Sequence, residues 1–184
     1  SQTVMVKLYA ALDRLAEAQS LGEDMLKVAL KELGMSHPLT LGGHFSLAQV
    51  YQKQGKLSEA IELIHTIIDS EGWSDKNEQA INAYNALGGL YSDNHDTESA
   101  AKYKELSLAV AVDLLTDKSP RTWNQMLNNL EFYIKANNEA KVAEYVTKLT
   151  TVVEQNETVS PTIKGRFEQL KKQHAGLTEG STSE

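Results

Sequence analysis

The sequence contains no cysteine, which excludes disulfides, thiol nucleophiles and thiolate metal sites. Its five histidines include no pair at the i, i+4 spacing of a helical zinc site, so we expect no metal and no cofactor. Glycine pairs occur inside helical patterns, whereas a phosphate-binding loop requires them directly after a strand. Serine, histidine and acidic residues occur, but in no recognised nucleophile context. We therefore expect that the protein is not an enzyme.

Basic residues are also scarce, since 18 lysines and arginines stand against 25 acidic residues and the net charge is −7. A nucleic-acid surface needs clustered positive charge, so we expect no nucleic-acid partner. No apolar run reaches eighteen residues, so no membrane span is predicted, and no signal-type leader precedes the first helix. Cytoplasm is the default location. Because the first helix lacks a clear start, we expect one part of a larger chain, from which a leader or anchor could have been removed.

Proline is rare as well, with three residues, and continuous β-branched runs are few, so helix is the expected structure. Pro38, Pro120 and Pro161 are separated by 82 and 41 residues, which is two repeats and then one. Pro120 and Pro161 each follow a serine, as a first helical residue follows an N-cap. Every proline is therefore predicted to open a helix, and none to interrupt one.

A tyrosine recurs with the same period at the end of each predicted first helix. Tyr9, Tyr51, Tyr91 and Tyr133 lie 42, 40 and 42 residues apart. Two independent sets of markers that share one period indicate internal repeats, the signature of stacked helical hairpins. The sequence therefore predicts four repeats of about 42 residues.

The stretch from His44 to Ile67 predicts two short helices joined by a turn. Its apolar residues recur at helical spacing on either side of Gly55, which can leave a helix with a positive φ. We expect the second helix to start near Ser58 as its N-cap. In the next repeat we expect Ser74 to be the N-cap and Asn94 to take the left-handed conformation in the turn.

These periods predict an all-α, right-handed α-solenoid of four helix pairs and a C-terminal capping helix, in a single domain over residues 1–175. The capping helix has an apolar side, and its opposite side carries Lys164, Arg166, Lys171 and Lys172. Residues 176–184 are expected to be a flexible tail. The predicted repeats span about 1–34, 38–70, 74–116 and 120–155, and the capping helix spans 161–175.

The repeat resembles the tetratricopeptide (TPR) family, in which a bulky residue, Leu-Gly, Tyr, Ala and Phe recur at fixed intervals. The linker Leu33–Thr40, with His37-Pro38 at its centre, resembles that of kinesin-light-chain-type repeats. The resemblance covers about residues 1–155 and implies a concave groove, lined by the first helices, that binds a peptide segment of a partner protein. In the second repeat the family positions are held by His44, Leu47-Ala48, Tyr51, Ala60 and Ile64.

Residues next to the packing stripe of each first helix are predicted to face that groove. Asn and Gln side chains offer both a donor and an acceptor to a peptide backbone, and Gly89 would let a backbone come close. Phe45 and Leu127 would be apolar anchors, and Trp123 is a further candidate contact if it is exposed. The alternative is that these are ordinary exposed helix positions. The predicted groove residues are Phe45, Gln49, Gln52, Asn82, Asn85, Gly89, Leu127, Asn128, Glu131 and Lys135.

The expected function is that of an interaction module, an adaptor or scaffold whose partner is another protein or a peptide segment. Two alternatives stay open. One is a regulator that senses a peptide and changes the curvature of its helix stack. The other is a self-association module, in which case the protein is a homo-oligomer.

Overall fold

The computed structural model describes the backbone of residues 2–181 and the side chains of residues 3–176, and this part of the chain contains helices and no strand. The predicted all-α class is confirmed. The three prolines open α3, α7 and α9, as predicted. The helices are α1 (Gln2–Ala11), α2 (Leu15–Leu33), α3 (Pro38–Lys53), α4 (Leu57–Ile68), α5 (Glu78–Asp93), α6 (Thr97–Leu115), α7 (Pro120–Lys135), α8 (Glu139–Gln155) and α9 (Pro161–Ser181).

The chain forms two compact units, residues 1–107 and residues 108–184. In the first unit α2 packs on α1 and α3, and α4 packs on α3 and α5. In the second unit α7 packs on α8, and α9 packs on both. The helix pairs fall within the predicted repeats, while the single domain over 1–175 stays a prediction. The last helix continues to Ser181, past its predicted end at 175, because helix propagation adds one hydrogen bond per residue and no proline interrupts it. Residues 182–184 lie outside the described part.

Each helix pair turns at one residue in the left-handed region, four positions after the repeat tyrosine. The backbone N–H of the following residue donates to the tyrosine carbonyl at 2.9 or 3.0 Å in all four repeats, which satisfies a carbonyl that the helix end leaves open. Gly55 takes this conformation as predicted, but His95 rather than Asn94 takes it in the third repeat. Position in the turn outweighs residue preference there. The four residues are Asp13 (φ 59°), Gly55 (φ 75°), His95 (φ 60°) and Asn137 (φ 51°).

Serine caps were predicted correctly at two helix starts and wrongly at two others. Ser119 Oγ accepts from the Arg121 N–H at 3.3 Å, and Ser160 Oγ accepts from the Ile163 N–H at 3.4 Å. Ser58 lies inside α4, because the tight turn at Gly55 leads straight into the helix at Leu57. Ser74 lies in the preceding loop, and Asn77 caps α5 by accepting from the Ala80 N–H at 3.1 Å.

Small residues let the two helices of a pair approach closely. A Cβ atom added to Gly88 would lie 2.8 Å from Lys104 Cγ and 3.3 Å from the Lys104 backbone nitrogen, so α5 and α6 cross in contact there. Ala48 and Ala60 are buried in the same core cluster as Ile64. Small residues thus also lie in the core where α3 and α4 of the second repeat pack together.

The second unit encloses α7 more fully than expected. Trp123 is 1% exposed, and its indole N–H donates to the Asp117 carbonyl at 2.7 Å. The suggestion that Trp123 contacts a partner is therefore wrong. Asn129 is also buried, and its amide donates to the Tyr145 hydroxyl at 2.9 Å. Both polar groups are satisfied within the unit, so neither is available to a ligand.

Candidate functional site

A cleft of about 510 Å³ opens on the first unit between α1, α3 and α5. The structure brings together here all six groove residues that were predicted from the second and third repeats. The cleft also receives side chains that the sequence did not single out, and these supply its floor and its charge. Its lining consists of Lys7, Phe45, Ala48, Gln49, Gln52, Ile64, Asn82, Asn85, Ala86, Gly89 and Leu90.

Helical spacing explains why these residues converge. Phe45, Gln49 and Gln52 are four and three residues apart, so they share one side of α3. Asn82, Asn85 and Gly89 share the facing side of α5 for the same reason. Most of each packing stripe lies on another side, since Leu47 and Val50 of α3 and Ala83 and Leu87 of α5 are buried outside the cleft.

The cleft has an apolar floor beneath a polar rim. Ala48, Ile64 and Leu90 are at most 4% exposed, and the half-buried Phe45 stands beside them. Exposed amides of Gln49 and Asn85 form part of the rim. A concave apolar surface with a few polar groups around it is the usual form of a site that takes one apolar side chain and orients the chain that carries it.

The charge of the cleft is opposite to that of the protein. A smaller cleft of about 210 Å³ adjoins it and shares Lys7 and Gln49 with it. Among the described residues that line the two clefts, Lys7 and Lys53 are the ionisable ones, and the Lys53 ammonium donates to the Ala10 carbonyl at 2.9 Å. In a chain of net charge −7, the two lysines favour an anionic ligand on the α1 side of the cleft, while the Asp93 carboxylate, which accepts from Gln52, lies at the end of α5.

Gln52 and Gly89 differ from the other cleft residues, because the first bonds to a second helix and the second exposes the helix backbone. The Gln52 amide donates to Asp93 Oδ2 at 2.6 Å, and this bond ties α3 to α5 at one end of the cleft. A Cβ atom added to Gly89 would meet no atom within 4 Å, so the backbone of α5 is open to the cleft there. Gly89 therefore leaves open space beside the α5 backbone, and the approach of a ligand backbone there stays a prediction.

Leu127 is not part of any open surface. Its side chain is 0% exposed, so the prediction that it anchors a partner is wrong. In α7 the positions that correspond to Phe45 and Gln52 carry Leu127 and Ile134, and both are buried. Because Phe45 is also apolar, Leu127 gave no warning, and the signal in the sequence that this side of α7 is covered was the apolar Ile134 at the position of the polar Gln52.

Two of the other predicted residues of α7, Asn128 and Glu131, contact the capping helix. The Arg166 guanidinium of α9 donates to Asn128 Oδ1 and to Glu131 Oε2, each at 2.9 Å. Lys135 donates to Glu131 Oε1 at 2.8 Å, and hydrogen bonds from Lys135 and Arg166 hold the pKa of Glu131 below its usual value. Asn128 and Glu131 thus hold α9 on α7 instead of lining an open cleft, and Lys135 pairs with Glu131 within α7. Sequence reasoning placed Arg166 on the outer side of α9, although it lies three residues after the buried Ile163.

Neither a metal centre nor a membrane segment can be built from the residues that the structure describes. No group of three or more histidine or acidic side chains among them could hold a metal ion. No helix within residues 2–181 is long and apolar enough to cross a membrane.

Comparison with known proteins identifies the fold. No protein-family model matches the chain, and no curated protein matches it. A point variant of a Podosopora anserina protein described as a kinesin light chain with nearly identical TPR-like repeats superposes with a TM-score of 0.77 at 22% identity, over 99% of this chain and 89% of that one. A second structure of the Podosopora anserina protein gives 0.73 at 21% identity, over 100% and 96%.

BtubC (BKLC) from P. vanneervenii gives a TM-score of 0.74 at 16% identity, over 100% of this chain and 80% of that one. At these identities the likeness is one of fold. The repeats inferred from the tyrosine and proline spacings thus have the helix-pair architecture of these solved structures. The chain has the fold of the TPR-like repeats of kinesin-light-chain-type proteins.

Proposed function

We propose that the protein binds a segment of another polypeptide in the cleft between α1, α3 and α5, and so acts as an adaptor or scaffold. The observation that carries this proposal is the convergence of Phe45, Gln49, Asn82, Asn85 and Gly89 around one open cleft. A set of ordinary exposed helix positions would not be expected to surround an apolar floor.

The lining suggests how a peptide is held. Amide side chains on α3 and α5 can donate to and accept from a peptide backbone in either direction. Gly89 lets that backbone approach α5, and the small lining residues Ala48 and Ala86 leave room for one large apolar side chain beside Phe45. The partner segment therefore carries an apolar anchor, and its backbone supplies the remaining contacts.

The charge of the cleft selects the residues around that anchor. Lys7 and Lys53 lie at the α1 side, so the partner segment has carboxylates next to its apolar anchor. Lysine attracts carboxylates as a compact charge without fixing a bidentate geometry, so the position of the acidic residues can vary. Binding should weaken as salt is raised, because exposed charges are screened.

The experiment that tests this proposal compares capture by the protein and by an Asn82→Ala/Asn85→Ala variant. A matched control carries Asn124→Ala and Gln173→Ala, which remove two exposed helix amides outside the cleft. All three proteins must first show equal helicity and equal melting. Polypeptides bound from native lysate by the wild type and the control, but not by the cleft variant, would support the proposal. Equal recovery on all three would overturn it.

The charge preference has its own test. Peptides from a captured polypeptide are titrated against wild type and Lys7→Glu by fluorescence anisotropy at two salt concentrations. We expect the variant to bind the acidic segment more weakly and to lose most of the salt dependence. An unchanged affinity would show that the segment does not lie along the α1 side of the cleft.

A second candidate function rests on the bond between Gln52 and Asp93. A ligand that takes the Gln52 amide removes a 2.6 Å tie between α3 and α5, which would let the two helices shift. Peptide binding would then change the curvature of the helix stack, as a regulator requires. Small-angle scattering checks this, and an unchanged radius of gyration at saturating peptide dismisses it.

A further inference from the structure

The smaller of the two adjoining clefts differs in chemistry from the larger one. It has a volume of about 210 Å³ and lies between α1 and α3, which pack on each other in the first unit. It meets the larger cleft at Lys7 and Gln49, which line both. We call it the α1–α3 cleft, and its lining consists of Lys7, Ala10, Ala11, Ser46, Gln49 and Lys53.

The two positive charges of the α1–α3 cleft have no counter-charge in the protein. Neither Lys7 nor Lys53 forms an ion pair with any residue that the structure describes. The Lys53 ammonium donates to the Ala10 carbonyl at 2.9 Å, which fixes its position and leaves two of its N–H groups for a ligand. Lys7 lies three residues before Ala10, so it stands one turn away on the same side of α1. The cleft thus presents two ammonium groups to one small volume.

Ser46 adds a hydrogen-bond donor that the fold does not use. It is 3% exposed and lines the cleft, and its hydroxyl has no hydrogen-bond partner within the described part of the chain. A hydroxyl inside a helix can donate to the carbonyl four residues earlier, as those of Thr66 and Thr147 do at 3.0 and 2.9 Å. Because buried polar groups are normally paired, the free hydroxyl of Ser46 points to an acceptor that comes from a ligand.

The next repeat lacks this combination of donors. Counted from the repeat tyrosine, the positions of Lys7, Ser46, Gln49 and Lys53 recur one repeat later in α3 and α5. The residues there include no basic side chain and no hydroxyl, and the one carboxylate among them would repel an anion. The amides and the glycine suit a peptide backbone, so the anion preference belongs to the α1–α3 cleft. The recurring positions hold Gln49, Ala86, Gly89 and Asp93.

We propose that the α1–α3 cleft binds a phosphoryl group on a side chain of the partner segment, so that phosphorylation of the segment strengthens its binding. This proposal rests on the proposed function and specifies which anionic group occupies the α1 side. A phosphorylated side chain carries a charge of about −1.5 to −2 at neutral pH, which two ammonium groups can balance. Its three terminal oxygens can accept from Lys7 on one side and from Ser46 and Lys53 on the other. A carboxylate, with one charge and two oxygens, would leave part of this set unmatched.

One segment can occupy both clefts at once. The apolar anchor enters the larger cleft beside Phe45, and the α1–α3 cleft begins where Lys7 and Gln49 line both. The phosphorylated residue therefore lies within a few residues of the anchor. Lysine binds phosphate as a point charge, whereas the Ser46 hydroxyl is fixed in the wall of α3, so Ser46 orients the phosphoryl group.

NMR titration of the whole chain tests the proposal with small probes that have no apolar anchor. N-acetyl-phosphoserine amide is compared with the matching serine and aspartate derivatives and with inorganic phosphate, all at one ionic strength. The backbone amides of Ser46, Gln49 and Lys53 report binding. Since these probes do not require the larger cleft, this test and the capture experiment for the proposed function can fail independently of each other.

Two variants remove single donors from the cleft. Ser46→Ala removes the buried hydroxyl, and Lys7→Gln removes an ammonium group from an exposed position where folding should be unaffected. The matched control is Lys27→Gln, because Lys27 is an exposed lysine of α2 that lines neither cleft. Circular dichroism and melting establish that the proteins fold alike, and Lys7→Gln carries the test by itself if Ser46→Ala does not fold.

We expect the phosphoserine derivative to bind the wild type and Lys27→Gln equally. Its dissociation constant should rise about tenfold or more in Ser46→Ala and in Lys7→Gln, because each variant loses one hydrogen bond to a charged group. The aspartate derivative should bind the wild type about tenfold more weakly, and the serine derivative should cause no response.

Three results would overturn the proposal. The first is that the reporting amides do not respond to the phosphoserine derivative, or respond equally to the aspartate derivative. The second is that the folded variants of the cleft bind the phosphoserine derivative as tightly as Lys27→Gln does. The third is that inorganic phosphate binds more tightly than the derivative, because the cleft would then be a site for the free ion.

Discussion

Gly89 offers the sharpest test of the cleft, because one substitution should stabilise the protein and weaken its binding. A Cβ atom at Gly89 meets no atom within 4 Å, and the residue lies inside α5. Replacing glycine by alanine in a helix interior adds about 0.5–1 kcal/mol of stability. For a chain of this size, that increment raises the melting temperature by about 1–4 °C.

Leucine at the same position projects into the cleft. If the peptide backbone lies against Gly89, the side chain of Gly89→Leu must overlap with it. Overpacking of this kind costs about 1–3 kcal/mol, which corresponds to a loss of affinity of about 5- to 150-fold. Gly165→Leu is the matched control, because Gly165 is an exposed helical glycine of α9 and a Cβ atom there also meets nothing within 4 Å.

The assay is titration of each variant with a peptide from the captured polypeptide, followed by anisotropy, beside a thermal melt. We expect both leucine variants to melt at or above the wild-type temperature, and only Gly89→Leu to lose affinity. If Gly89→Leu melts as expected and binds the peptide as tightly as Gly165→Leu, the ligand does not approach α5 and the proposed site is wrong.

Three further outcomes are expected. Gly88→Ala should destabilise the protein by about 1–3 kcal/mol in urea unfolding, although the neighbouring Gly89→Ala stabilises it, because its Cβ atom would overlap with Lys104. Burial holds the pKa of His44 below its value of 6.5 in the unfolded chain. As pH falls below about 6.5, the unfolded state therefore binds a proton that the folded state does not, so the free energy of unfolding should fall. The fall should be smaller in His44→Gln, which lacks the titrating imidazole. Arg166→Met should cost about 0.5–1 kcal/mol at neutral pH, since the pair with Glu131 is one-third exposed. Because the folded-state pKa of Glu131 is lowered from 4.5, this difference should shrink as pH falls through that pKa, although the bond from Arg166 to Asn128 remains. NMR titration of the variant should show a higher Glu131 pKa.

The helices and their turns could be read from the sequence because local interactions set them. Proline and serine at a helix start, and a turn four residues after each repeat tyrosine, act over a few residues. The two wrong N-cap predictions also concern local structure. Ser58 and Ser74 have the right chemistry for a cap, but the backbone reaches α4 without one and reaches α5 through Asn77.

The sequence could predict which residues of α3 and α5 line the groove, but not which residues reach it from other helices. Residues three and four apart must share a side of a helix, so the sequence alone placed Phe45, Gln49, Asn82 and Asn85 on the sides that meet in the cleft. It could not supply Lys7, because that lysine reaches the cleft from α1 through packing between repeats. The charge of the site is therefore a tertiary property.

Periodicity determined the all-α class, the repeats and the side of each helix that carries the candidate residues. Tertiary structure alone decided which of those sides stay open. In α3 and α5 this side is open. In α7 the same side is buried at Leu127, and its Glu131 is hydrogen-bonded by Arg166 of α9. The physical reason is that spacing along a helix fixes where a side chain points, whereas its exposure depends on distant residues that pack over it.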